Sequence, residues 1–281
     1  MLIPLLHKII RRHLIRQGIQ SKRVRIGGTN IHYYEASPER PVASILLVHG
    51  LGTSTSTWMH LLPGLAQKYH VLAPDLPGFG FSFRDDGFSP HTIDEYTGEL
   101  DEFVSHTLPK DPFLLLGHSL GGWITMKYAI RRPQKVAHLI LINSAGLHYQ
   151  GVEHVRDLFD LRSPRDTKIL LDHIWKHYPW YFRPFTPFVF EDLVRRKVPQ
   201  IVQTIEERDF LNADLHRLTM PVSVIWGLGD RLISTKALEL LKEKLPARRI
   251  YTIEQSGHVP QLEAPVELME ILWGILGEHT G

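Results

Sequence analysis

Apolar residues in this chain gather in short unbroken runs. Ser44-Ile45-Leu46-Leu47-Val48, Val71-Leu72-Ala73, Phe113-Leu114-Leu115-Leu116, Leu139-Ile140-Leu141-Ile142 and Val222-Ser223-Val224-Ile225-Trp226 are each about the length of a strand. A strand with no polar alternation is buried on both faces. Arg249–Ile253 adds a last candidate. Helix-length segments such as Thr92 to Thr107 and Leu120 to Arg131 lie between these runs, so the sheet is expected to be largely parallel. Ahead of them, Val24 to Ala36 is rich in strand formers and broken by Gly27-Gly28-Thr29-Asn30, which predicts a hairpin turning at that cluster.

The alternation stops between about Ala145 and Arg217, where Pro164, Pro179, Pro184, Pro187 and Pro199 cut the chain into short helices. Eleven of the 27 aromatic rings fall in 146–217. Such a concentration suits an apolar lid over a pocket, although any single ring could simply hold a small helical cap together. The expected organisation is a basic helix over 1–22, one core domain from 23–144 and 218–281, and a helical cap over 145–217.

From Met1 to Ile19, Lys8, Arg11, Arg12 and Arg16 are set among Leu and Ile, and the first acidic residue is Glu35. A signal peptide fits poorly, because its charges precede the apolar run and a small-residue cleavage site follows it. An amphipathic helix fits, and two readings of it stay open. It packs its Leu/Ile face on the protein body or on a second subunit of a homodimer, or it lies on an anionic membrane surface. The chain is expected in the cytoplasm, as a monomer or homodimer, with the helix as its peripheral membrane contact.

Lys+Arg 32 against Asp+Glu 30 leaves a formal charge of +2, too little to draw nucleic acid by counterion release, so none is expected as a partner. Cys 0 excludes disulfides, thiolate metal sites and cysteine nucleophiles. No metal and no cofactor are expected.

The chemistry centres on Gly117-His118-Ser119-Leu120-Gly121, which follows a buried run and precedes a helical pattern. That is the strand, tight turn and helix setting of a nucleophile elbow, where glycines let the backbone close around a strained Ser. A Ser hydroxyl needs a His base and an acid to orient it. His258, on the loop after the last strand, and Asp230, ending the strand Val222 to Trp226, keep the order Ser, Asp, His. The position after Leu139–Ile142 offers Asn143 and Ser144 but no carboxylate, and Asp75 precedes the Ser and is expected to brace its own loop. The Leu51 amide, in His49-Gly50-Leu51-Gly52, and the Leu120 amide are expected to form an oxyanion hole. His49 is expected to hold that turn by hydrogen bonding.

In these motifs, together with Asp75-Leu76-Pro77-Gly78-Phe79-Gly80-Phe81-Ser82 and Trp226-Gly227-Leu228-Gly229-Asp230, the chain resembles the α/β-hydrolases from about Val24 to Gly277. The resemblance implies an α/β-hydrolase fold: a mostly parallel eight-stranded sheet flanked by helices, with the cap inserted after the sixth strand. It also implies that Ser119, Asp230 and His258 are the catalytic residues. Relatives that use Asp as nucleophile are set aside by Ser119. The cap opening Asn143-Ser144-Ala145-Gly146-Leu147 and the basic N-terminal helix resemble monoacylglycerol lipases and cap-bearing bacterial lipases. The expected activity is hydrolysis of short- to medium-chain carboxylic esters or monoacylglycerols. His49, Gly50, His118 and Val259, with the cap rings Trp175, Trp180 and Phe185, are expected against the small apolar substrate. Two further readings are carbon–carbon hydrolysis of a dienoate, with Arg183 or Arg195 binding its carboxylate, and a small-molecule receptor on a hydrolase scaffold.

Overall fold

Helix α1 (Leu2–Arg16) buries Leu14 completely and leaves Leu5, Leu6, Ile9 and Ile15 exposed. It stops where Gly18 takes a φ of 86°, a left-handed position suited to glycine, and the Ile19 amide reaches back to the Leu14 carbonyl at 3.1 Å. The helix is therefore shorter than the expected 1–22 segment, because Gln20, Ser21 and Lys22 already belong to β1 (Gln20–Ile26). That strand pairs antiparallel with β2 (Thr29–Ala36), Ile26 opposite Thr29. Gly27, at φ 53°, and Gly28 close the hairpin alone, so Thr29 and Asn30, expected in the turn, begin β2 instead. The structure is a computed structural model that describes residues 2–84, 87, 89–108, 112–245 and 248–277; Met1 and 278–281, the outer ends of the expected segments, lie outside the described residues.

The buried runs form β3 (Ser44–Val48), β4 (His70–Pro74), β6 (Phe113–His118), β7 (Val136–Ile142) and β8 (Val222–Gly227), the half-exposed last candidate forms β9 (Arg248–Ile253), and a two-residue strand β5 (Phe83–Arg84) pairs with β2. The sheet order is β1-β2-β4-β3-β6-β7-β8-β9, parallel from β4 to β9 and antiparallel around β2. The mostly parallel eight-stranded sheet is thus as expected, with β5 as a small addition off its path.

Neighbouring residues of the central strands enter opposite layers: Leu46, Val48, Phe113 and Leu115 one cluster, Ile45, Leu47, Leu114 and Leu116 the other. Each fully buried Leu or Ile contributes roughly 1.5–3 kcal/mol relative to exposure. Helix α2 (Leu62–Leu65) covers the second face, and α3 (Ile93–Thr107) and α4 (Leu120–Arg131) cover the first. Thr92 starts α3 in a capping box: its Oγ accepts from the Glu95 amide while Glu95 accepts from the Thr92 amide.

Between β7 and β8 come α5 (Glu153–Leu158), α6 (Pro164–Ile174), α7 (Thr186–Arg195) and α8 (Val198–Gln203). Their inward residues Phe159, Leu170, Leu193 and Val202 join the α3/α4 cluster. Helix α9 (Thr235–Lys244) adds to that face, and α10 (Pro260–Glu263) leads into α11 (Pro265–Gly277), which completes the other with Leu14 of α1. The parallel strands all end at one edge, where the loops carrying the candidate chemistry meet.

Candidate active site

Ser119 sits between β6 and α4 with φ 55° and ψ −121°, a conformation that L residues seldom adopt. The turn closes because its glycines admit no side chain. A Cβ on Gly117 would lie 2.3 Å from Thr125 Oγ1, and one on Gly121 would lie 2.3 Å from the Val48 carbonyl. The Ser119 amide donates to the Ile142 carbonyl at 3.1 Å, tying the elbow to β7.

Ser119 Oγ lies 2.8 Å from Nε2 of His258, and Nδ1 of His258 lies 2.7 Å from Oδ2 of Asp230. The carboxylate fixes the ring proton on Nδ1, which leaves Nε2 free to accept the hydroxyl proton. Asp230 is itself held by four donors. Oδ1 accepts from the Leu232 and Ile233 amides at 2.9 Å each, and Oδ2 accepts from Asn143 Nδ2 at 2.8 Å as well as from His258. Asn143 stands at the end of β7 with φ 40° and also accepts the Gly227 amide on its Oδ1. Sequence reasoning passed over Asn143 for lacking a charge, and the residue instead orients the carboxylate of the next strand.

The His258 loop is braced from both sides. Its amide donates to the Ile174 carbonyl at 2.7 Å, and Glu263 Oε1 accepts the Gly257 amide at 2.8 Å. Burial raises the Glu263 carboxyl above the usual range, although the amides of Lys176, Gly257 and Val259 pull it the other way. No sequence motif marked Glu263. His118 Nε2 donates to the His258 carbonyl at 2.7 Å, so Nδ1 is left as an acceptor, buried and without a partner among the described residues. Burial, and then the neighbouring His258, hold His118 well below the ordinary histidine pKa.

The Leu51 and Leu120 amides donate no hydrogen bond among the described residues, and both residues line the cavity that receives Ser119. His49 lies beneath that cavity, wholly buried. Its Nε2 accepts the Leu76 amide at 2.9 Å and its Nδ1 donates to the Gly50 carbonyl at 2.8 Å. Gly50 is needed for space: a Cβ there would lie 3.0 Å from Ser119 Cβ. Asp75 fastens the same turn, its Oδ1 accepting from the Thr55 amide at 2.7 Å and hydroxyl at 2.9 Å. Its Oδ2 takes His32 Nδ1 at 2.7 Å and the Phe81 amide at 2.9 Å, and Ser21 Oγ lies 2.8 Å from His32 Nε2. Burial pushes the Asp75 carboxyl up, but these bonds and the nearby histidines outweigh it and bring its pKa to about 2.

The cavity over Ser119 measures about 240 Å³, and its walls are Leu51, Val155, Phe159, Leu170, Ile174, Val189, Leu193, Val259 and other apolar side chains, with His118 and His258 at the floor. A second cavity of about 330 Å³ shares Trp123, Ala145, Val155, Val202, Ile205 and Ile233 with it. The expected substrate contacts need correction. His118 and Val259 line the cavity, but His49, Gly50, Trp175, Trp180 and Phe185 do not, and neither do Arg183 and Arg195. Trp180 is 77% exposed, because the segment from Trp180 to Phe185 lies outside while α6 and α7 turn aliphatic residues inward. The rings that do line it are Trp123 and Phe159.

Residues 45–271 match the model of the alpha/beta hydrolase family. Lipase 3 of Moraxella sp. (strain TA144) is 26% identical, over 92% of this chain and 84% of that protein. A monoacylglycerol lipase of Xenopus laevis is 25% identical, over 92% of this chain and 82% of that protein. Among solved structures, a bacterial membrane phospholipase A superposes with a TM-score of 0.84 at 25% identity, covering 99% of this chain and 92% of that one.

Proposed function

The chain belongs to the alpha/beta hydrolase family, and on that premise we propose that it is a serine hydrolase working on carboxylic esters through an acyl-enzyme. The observation that carries this reading is a strained Ser119 whose hydroxyl meets His258 at 2.8 Å on the floor of an apolar cavity. Ester hydrolysis also agrees with the lipases among its relatives.

Ser119 attacks the ester carbonyl as His258 takes its proton, and His258 then delivers that proton to the departing alcohol. Water, activated by the same His258, releases the acid and restores Ser119. Asp230 keeps the imidazole in the tautomer that accepts from Ser119, and the Leu51 and Leu120 amides receive the developing oxyanion. The two adjoining cavities favour a short- to medium-chain acyl group, with monoacylglycerols among the first candidates. Helices α6 and α7 act as the cap over it. The exposed Leu5, Leu6 and Ile9 of α1, beside Lys8 and Arg12, support its role as a peripheral membrane contact. No helix among the described residues is long and apolar enough to cross a membrane.

Labelling with a fluorophosphonate, followed by a p-nitrophenyl ester series of rising acyl length, tests the nucleophile and sizes the pocket together. Ser119→Ala should abolish the label, and activity should peak at an intermediate chain. Equal labelling of Ser119→Ala overturns the assignment. Steady turnover of a simple ester counts against the receptor reading. Arg156 lines the adjoining cavity, so a dienoate is assayed side by side with the ester, and its faster turnover would favour carbon–carbon hydrolysis.

A further inference from the structure

Basic side chains from three distant parts of the chain converge on one cavity that the ester reaction does not use. It measures about 450 Å³ and lies between α1, the loop before β5 and the end of α7. Its wall includes His7 and Lys8 of α1, Phe81 and Arg84, and Arg195 and Arg196. Among the described residues, no carboxylate lines it. Asp192, behind the wall, accepts from Arg195 and from Arg196, the latter at 2.7 Å, and Arg196 also donates to the Gly78 carbonyl at 2.8 Å. Arg84 has Glu99 at 3.9 Å. Lys8 is exposed with no such partner, and Asp192 is the one carboxylate within ion-pair distance of Arg195 and Arg196 among the described residues.

Further cationic groups stand nearby, against the opposing charges of Asp75 and Asp192. The Arg11 guanidinium stands 5.4 Å over the Phe81 ring, and its Nε is buried without a partner among the described residues. His7 is held below its ordinary pKa by burial and then by the Arg196 charge. An excess of cations around a cavity this size is relieved by an anion with several oxygens, since two guanidinium forks and an ammonium can each take one.

We propose that this cavity binds a phosphate-type oxyanion that bridges Lys8 of α1 to Arg195 and Arg196 of α7. Such a ligand pins α1 to the helical segment above the active site. The proposal is independent of the ester chemistry. The anion has two sources, free phosphate or the head group of an anionic lipid, and the exposed Leu5 and Ile9 one turn along α1 offer an apolar surface for the second.

The test uses the full chain. Inorganic phosphate is titrated against chloride at matched ionic strength with Tm as the readout, and the protein is sedimented with vesicles of phosphatidylcholine, with and without phosphatidylglycerol. Phosphate should raise Tm where chloride does not. Lys8→Gln and Arg195→Gln should each weaken binding about fivefold, and together about 25-fold, with circular dichroism and soluble-ester turnover unchanged. Retention on phosphatidylglycerol vesicles that the double variant loses assigns the site to a lipid head group. Phosphate binding without vesicle retention assigns it to a soluble phosphoanion. If the double variant binds as the parent does, or if neither phosphate nor phosphatidylglycerol differs from its control, the site is not there.

Discussion

Two Ser-His-Asp relays stand at the same edge of the sheet. Ser119, His258 and Asp230 are joined at 2.8 and 2.7 Å, and Ser21, His32 and Asp75 at 2.8 and 2.7 Å. Both carboxylates are buried, and both accept backbone amides besides their histidine. The surroundings of the two hydroxyls differ. Ser119 sits at φ 55° at the head of α4, facing a cavity and two unengaged amides, whereas Ser21 belongs to a paired strand, and neither it nor His32 lines that cavity. A hydrogen-bonded relay is therefore a general means of satisfying a buried carboxylate. Under the proposed mechanism, strain, two unengaged amides and room for a substrate are what distinguish the Ser119 relay from the other.

The sharpest way to break this contrast is at the two serines. Ser119→Ala should lower kcat by roughly 10⁴ or more, and His258→Ala added to it should cost hardly more, because the residues act as one unit. Ser21→Ala should leave kcat within about twofold, since it has no reacting partner. Mass spectrometry of the fluorophosphonate adduct locates the label, and modification at Ser21 would erase the distinction.

The two acids should separate next. Asp230→Asn favours the wrong imidazole tautomer and should cost on the order of 10⁴ in kcat at neutral pH. Asp75→Asn should act on stability instead. The Asp75 pKa falls from 3.8 to about 2, which corresponds to about 2 kcal/mol of stability. A carboxyl depressed on folding contributes fully above its unfolded value and loses that contribution as pH falls through 3.8 towards 2. Denaturant midpoints measured from pH 6 down should therefore drop in the parent more steeply than in Asp75→Asn. Similar kcat losses in the two Asn variants would merge the relays.

Asn143→Ala removes one of the four donors that aim Asp230 and should lower kcat about tenfold, as expected for a hydrogen bond to a charged group. An unchanged kcat would leave the backbone amides as sufficient. The smallest effect concerns pH and the floor of the cavity. His118 is kept neutral by burial, so below pH 6.5 the unfolded chain takes up a proton that the native state refuses. Stability should then decline by about 1.4 kcal/mol per pH unit for this one group. His118→Gln should flatten that slope, and urea titrations at pH 7 and 5.5 would show it.

The sequence by itself determined the parallel sheet, because unbroken apolar runs are short-range signals, and it marked Ser119, Asp230 and His258 as candidates, because each follows a strand within a few residues. The elbow was legible as a local pattern of glycines around a Ser, although the space Gly121 provides serves the Val48 carbonyl of a neighbouring strand. The supporting set was not. Asn143 and Glu263 carry no motif, and their parts depend on β7 lying beside β8 and on α10 folding back under the His258 loop. The cap was legible as an aromatic segment but not in its facing. Proline-broken helices have no long period from which to read an inner side, so only tertiary packing decided that Phe159 and Leu170 turn inward and Trp180 out. The basic cavity belongs to this second class. Lys8 and Arg195 are 187 positions apart in the sequence, and their charges act together only because α1 packs against α7.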